Sequence, residues 1–239
     1  MPKLLPRIAR RVLQAPAPFL LASGPMDPED LKTWRMALRR ELIARRVAAS
    51  ADEHARWSAA VDDRVERLLQ QLSGRVIAFC WPYQAEYDAR AVVLGFLARG
   101  ATAALPVVVA PRTPLIFRKW DSTTPMTAGV YDIPIPVDSE EVTPDVALIA
   151  VCGFDEQGYR LGYGAGFFDR TLASMPVRPV VVGVGFELSR IPTIHPQRHD
   201  IPLDFVVTEA GAFRRESGGL AMAERPASVV ALRSPTKKA

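Results

Sequence analysis

Apolar residues recur along this chain with two periods, and the change between them divides it. Residues 30–48 contain no Gly or Pro and are rich in Leu, Ala, Arg and Glu; Asp27-Pro28 ahead of them opens a helix with Pro at an early position. Ser50-Ala51-Asp52-Glu53 has the spacing of a capping box. Behind it Trp57, Val61, Val65, Leu68 and Leu72 repeat at helical spacing, so a second helix runs to near Gly74. Beyond Gly74 the apolar residues come instead as short runs. Strands are predicted over residues 76–81, 103–110, 146–151, 180–186 and 205–208, with an extended piece at 115–120. Helices are predicted over 89–98, closed by Gly100, and over 167–174. The Pro-rich residues 125–144 read as irregular. Strands apolar throughout and alternating with helices imply an α/β fold: a three-layer αβα arrangement with a mostly parallel central sheet, entered through two N-terminal helices.

The expected organisation is a single domain over residues 28–210, a flexible basic extension over 1–27 and a partly disordered tail over 211–239. The extension has Lys3, Arg7, Arg10 and Arg11 but no acid before Asp27, and its apolar stretch is broken by Pro16 and Pro18, unlike a signal peptide. The tail carries Gly218-Gly219, Pro226, Pro235 and Lys237-Lys238. Composition narrows the class. With 49 % apolar residues in 239, the chain can bury a substantial core. No apolar run reaches the roughly 18–20 residues that span a bilayer, so the expectation is a cytoplasmic protein with no membrane partner. The net charge of +4 suits anionic small molecules; without a long basic run outside the termini it does not point to nucleic acid. Cys80 and Cys152 lie in apolar runs and read as buried, reduced thiols. His195 and His199 are four apart, but Pro196 between them argues against a helical zinc pair.

Residues 153–170, GFDEQGYRLGYGAGFFDR, stand directly after one predicted strand and directly before a helix. In open α/β sheets ligands bind at the carboxyl ends of strands. Gly162, Gly164 and Gly166 form a loop whose backbone N–H groups can approach phosphate oxygens, and the helix that follows favours anions. Arg160 can add a bidentate contact. Asp169 is suited to a hard cation such as magnesium. The spacing is neither that of a Walker loop nor that of the dinucleotide-binding fingerprint; a plain Gly-rich turn beside a core Phe pair remains the alternative.

The same run resembles the signature of the 5-formyltetrahydrofolate cyclo-ligases, Phe-Asp-x-x-Gly-x-Arg-Leu-Gly-x-Gly-x-Gly-Tyr-Tyr-Asp. Other elements follow in order. Arg35, Leu38-Arg39 and Arg46 match basic positions on the first helix; at 35, 39 and 46 they share a face, so three guanidinium groups could converge on a polyanion. Glu86-Tyr87-Asp88 matches Glu-x-Asp-Thr. Leu105-Pro106-Val107-Val108 and Phe117-Arg118-Lys119-Trp120 match two further elements, and the likeness extends over about residues 30–210. It implies ATP-dependent closure of 5-formyltetrahydrofolate to 5,10-methenyltetrahydrofolate by a monomer acting on a small molecule, with release of ADP and phosphate and with ATP and Mg2+ as cofactors. It places Arg160 and Asp169 at the chemistry, Asp169 on magnesium, and Glu86 on the pterin. Phe117 and Trp120 would line a folate pocket, with simple core as the other reading. The phosphates would meet Arg35, Arg39, Arg160, Leu161, Gly162, Tyr163, Gly164, Ala165, Gly166, Phe167 and Phe168.

This chain departs from that pattern at four places. Arg35 replaces a Lys, Ala89 replaces the Thr, Ala165 stands in the loop, and Phe167-Phe168 replaces the Tyr pair. Lost hydroxyls are what a non-catalytic folate or nucleotide binder on the same fold would show, and that alternative stays open beside the enzyme. An RNA-associated protein using the basic termini is the third reading; it would bind with steep salt dependence.

Overall fold

A computed structural model describes residues 26–223. Helix α1, Pro28–Val47, starts where Asp27 accepts the backbone N–H groups of Glu29 and Asp30 at 3.0 and 2.9 Å. Helix α2, Ala51–Leu68, begins with the predicted capping box: Ser50 Oγ accepts the Glu53 N–H, and the Glu53 carboxylate accepts the Ser50 N–H. There follow β1, Val76–Phe79; α3, Arg90–Ala98; β2, Thr102–Val107; and β3, Ile116–Trp120. Then come β4, Met126–Ala128; β5, Pro134–Pro136; β6, Val146–Ala150; β7, Gly153–Asp155; and β8, Arg160–Leu161. The last elements are α4, Phe167–Ser174; β9, Val180–Val184; β10, Arg190–Ile191; β11, Phe205–Thr208; β12, Gly211–Glu216; and β13, Gly219–Met222.

The fold is α/β, with an eight-stranded sheet in the order β13-β12-β11-β9-β6-β1-β2-β3. Its middle is parallel, from β2 through β1, β6 and β9 to β11; β3 joins one side antiparallel, and β12 and β13 join the other. Alternation along the strands feeds two cores. Ile77 and Phe79 of β1 pack with Val61, Val65 and Leu68 of α2 and Val93 and Phe96 of α3. Ala78, between them, packs with Ala147, Ile149 and Leu172 of α4. Helix α1 buries Leu31, Trp34, Leu38 and Leu42 against Cys152, Leu161, Ile191 and Ile194. Those partners belong to or flank the small sheet β10-β7-β8, which is built from the chain leaving β6 and β9.

Two expectations are corrected. Residues 125–144 contain the β4–β5 hairpin, so they are not wholly irregular. Residues 211–223, expected to be a partly disordered tail, extend the sheet as β12 and β13, because β11 leaves an edge whose backbone groups need partners. Of the extension expected over 1–27 only Met26 and Asp27 are described: Met26 packs against the α1 core and Asp27 caps the helix. Residues 1–25 and 224–239, with the rest of the expected extension and tail, lie outside the described residues. Both cysteines are free, Cys152 buried and Cys80 partly so.

Candidate functional site

The site gathers where β1 and β6 end. The loop after β1 carries Glu86, the turn from β7 to β8 carries Asp155, and the glycine loop 162–166 joins β8 to α4, with α1 running past all three.

Asp155 holds the turn. It is fully buried. Its Oδ1 accepts the N–H groups of Gln157 and Tyr159 at 3.0 and 2.9 Å, and its Oδ2 accepts the Ile194 N–H at 3.0 Å. Burial raises its carboxyl above the usual range, and those three N–H groups pull it back. It therefore stitches the signature segment to the chain around residue 194 and turns no atom outward.

The glycine loop rests on Arg39. Arg39 Nε donates to Gly162 O at 2.6 Å. Gly164 has φ +94°, and a Cβ there would lie 3.3 Å from the Arg39 guanidinium carbon, so a bare backbone lets the two approach. Among the described residues the outer nitrogens of Arg39 have no hydrogen-bond partner. Burial lowers its affinity for a proton, and Arg35 nearby lowers it further. This is a cation held in a drier setting beside a second cation, an arrangement an anion would relieve. A Cβ on Gly162 would meet nothing within 4 Å, so the loop is open on that side.

Arg160 is 8 % exposed and committed within the protein. Its Nη1 donates to Ile201 O at 2.6 Å and its Nη2 to Asp169 Oδ1 at 2.8 Å. The same Oδ1 accepts the Ile201 N–H at 3.0 Å. Asp169, in the first turn of α4, is thus held by one oxygen.

Glu86 is 5 % exposed. Its Oε2 accepts the Tyr83 N–H at 3.1 Å and its Oε1 the Tyr163 phenol at 2.7 Å. Arg46, 2 % exposed, donates to the same phenol at 3.0 Å and to Gln84 O at 3.0 Å, and lies 3.9 Å from the carboxylate. Burial raises the Glu86 carboxyl; Tyr163, Arg46 and the Tyr83 N–H oppose that.

The structure separates other expected site residues. The three guanidinium groups of α1 do not converge on one anion, because 11 residues of helix rise about 16 Å. Arg35 serves the segment 194–200, donating to Ile194 O, His195 O and the Asp200 carboxylate at 3.1, 2.9 and 2.7 Å. Arg39 reaches the backbone of the glycine loop at Gly162, and Arg46 reaches its Tyr163 hydroxyl. Phe117 and Trp120 are both buried, and their odd spacing along β3 puts them on opposite faces. Trp120 stacks edge-on against Phe79 at 5.1 Å in the α2–α3 core, while Phe117 packs in the α4 core, so the two do not line one pocket. Leu161 is core beneath α1, Phe168 packs against the α4 core, and Ala165 O accepts from Arg170. Phe167 O accepts the Thr171 hydroxyl, which itself accepts the Leu115 N–H. The structural duty of Asp155 and the inward aim of the Tyr163 side chain were not anticipated. A buried-turn Asp two and four residues before N–H donors is a recognisable signal for the first; nothing local signals the second.

A profile of the 5-formyltetrahydrofolate cyclo-ligase family matches residues 31–209. The chain is 25 % identical over 177 residues to a 5-formyltetrahydrofolate cyclo-ligase of Haemophilus influenzae, covering 71 % of this chain and 94 % of that one. It is 30 % identical over 146 residues to the enzyme of the same name from Mycolicibacterium smegmatis, covering 58 % and 75 %. Among solved structures it is similar to the 5,10-methenyltetrahydrofolate synthetase of Aquifex aeolicus, with a TM-score of 0.66 and 26 % identity over 80 % of this chain and 97 % of that one.

Proposed function

Because the chain belongs to the 5-formyltetrahydrofolate cyclo-ligase family, we propose that its glycine loop and Arg39 receive the phosphates of ATP while Glu86 receives the pterin. The enzyme closes 5-formyltetrahydrofolate to 5,10-methenyltetrahydrofolate, and its dependence on ATP follows from the family. In the proposed course the formyl oxygen attacks the γ-phosphorus and ADP leaves. N10 then attacks the activated carbon and gives up its proton, and phosphate departs with its bonding electron pair. Such chemistry asks mainly for positioning and for neutralisation of phosphate charge.

The residues divide that work. Arg39 supplies two guanidinium nitrogens that have no hydrogen-bond partner among the described residues and lie over Gly164, the observation that carries this reading. Glu86, with both oxygens already aligned by Tyr83 and Tyr163, can accept the paired N–H groups of an aminopyrimidinone. Arg160 acts through Asp169, fixing its Oδ1 and leaving Oδ2 without a hydrogen bond among the described residues. A single carboxylate oxygen fits magnesium, which takes one or two carboxylates together with phosphate oxygens and waters. No cluster of three metal-binding side chains occurs among the described residues, consistent with a cation that arrives with the nucleotide. Bound there, magnesium would neutralise charge on the phosphate oxygens.

The test follows the methenyl product by absorbance with 5-formyltetrahydrofolate and Mg-ATP. Arg39→Ala is expected to lower kcat/KM for ATP about 100-fold, and chelation of divalent cations to stop turnover. An unchanged ATP response in Arg39→Ala would overturn the phosphate assignment, and turnover surviving chelation would overturn the metal assignment.

A further inference from the structure

Tyr163 stands between the two halves of the site. Its chain position belongs to the glycine loop, flanked by Gly162 and Gly164, both of which touch Arg39. Its side chain reaches the other way. The residue is 41 % exposed, yet its hydroxyl is engaged in the buried pair: it accepts from Arg46 Nη2 at 3.0 Å and donates to Glu86 Oε1 at 2.7 Å. The ring also meets Tyr83 edge-on at 5.6 Å, and Tyr83 supplies the N–H that holds the other Glu86 oxygen. Arg39 holds the loop backbone at Gly162 and Arg170 holds it at Ala165, while Glu86 and Arg46 hold the Tyr163 hydroxyl. A phosphate on the outer nitrogens of Arg39 would lie against the loop that Arg39 Nε holds through Gly162 O, and a shift of the loop carries the Tyr163 hydroxyl with it.

We propose that Tyr163 is a positioning residue that couples the two substrates: its phenol sets Glu86 in register for the pterin, and that setting depends on whether the glycine loop holds a phosphate. The coupling rests on the reading of Glu86 as the pterin acid, and by linkage it acts equally in both directions. The charged and titratable groups facing Glu86 come from each element around it: Arg46 of α1, Cys80 and the Tyr83 N–H after β1, Cys152 after β6, and Tyr163. Tyr163 is the donor that moves with the loop. Its O–H favours the ionised carboxylate, so its removal lets the Glu86 carboxyl rise further. Pterin binding, which needs the carboxylate, then begins to fail at a higher pH.

The experiment titrates the full-length enzyme with 5-formyltetrahydrofolate, with and without saturating Mg-ADP, a nucleotide that cannot support turnover. The wild type is expected to show a folate Kd that differs between the two conditions by about fivefold, the scale of one hydrogen bond to a buried group. Tyr163→Phe is expected to bring that ratio to about one and to move the acid limb of folate binding to higher pH. A wild-type ratio of one, or a Tyr163→Phe enzyme that keeps either the wild-type ratio or the wild-type pH limb, overturns the proposal. Glu86→Gln separates the two readings. If it binds folate as the wild type does, the pterin assignment falls and the coupling with it. If it loses folate while Tyr163→Phe keeps the wild-type ratio, only the coupling falls.

Discussion

Replacing Asp155 by Asn distinguishes an architectural signature residue from a chemical one. The carboxylate is fully buried and accepts three backbone N–H groups, two on Oδ1 and one on Oδ2. Asn can keep its carbonyl oxygen toward Gln157 and Tyr159, but its NH2 group then faces the Ile194 N–H, donor against donor. The loss is one charge-assisted hydrogen bond and one orphaned buried N–H, about 2–4 kcal/mol. Removing the cost of a buried charge offsets part of it, so the expected net loss is about 2 kcal/mol. For a chain of this size that is a fall in Tm of roughly 4–8 °C. In urea the midpoint should drop by about 1 M at unchanged m-value. Turnover measured well below the transition should stay within about threefold of wild type, since no Asp155 oxygen is turned outward. An Asn variant of full stability would refute the reasoning. So would a stable variant with activity reduced 100-fold, which would give Asp155 a part in the chemistry.

Two further outcomes follow from the same geometry. Gly164→Ala places a side chain at φ +94° and 3.3 Å from the Arg39 guanidinium; the expected result is a rise of about tenfold in KM for ATP with a loss of stability of only about 1–2 kcal/mol, read by steady-state kinetics and melting, and an unchanged KM would count against contact between loop and nucleotide. Burial pushes the Cys80 thiol to about 12 and Cys152 to about 11, so at pH 8 about one thiol in 10⁴ and one in 10³ is ionised; a thiol reagent should label neither in the native enzyme within minutes and both in urea, and prompt native labelling would refute this.

Much of the frame was legible from short-range chemistry. The capping box at Ser50 and Glu53 is a pair of local hydrogen bonds that a fixed spacing specifies, and it occurs as read, as does the helix opened at Asp27-Pro28. The parallel centre of the sheet was legible because strands buried on both faces are apolar throughout. The β12–β13 hairpin was not. Arg214, Arg215 and Glu216 give an edge strand a polar look, and Gly218-Gly219 read as loose chain. Gly219 has φ +118°, and a Cβ there would come within 2.6 Å of Glu156 O, so the glycine marks a tight turn seated on the signature segment. Two runs separated by two residues were the available hairpin signal. In the site, helical spacing correctly set Arg35, Arg39 and Arg46 on one face. It could not say that Asp200, Gly162 and Glu86 would each claim a different one, because those partners come from 40 to 165 positions away.

The strand order has a consequence for synthesis. β1 lies between β2 and β6, yet β6 begins 67 residues after β1 ends. At roughly 5–20 residues per second, a ribosome spends about 3–13 s making the intervening chain. Through that interval the half-finished sheet β1-β2-β3 presents Ile77, Ala78 and Phe79 along an open edge, an apolar template for pairing with another chain. The emerging polypeptide is therefore most exposed to misassembly midway through translation, and a holdase that shields this edge until residue 150 appears would protect the yield of folded enzyme.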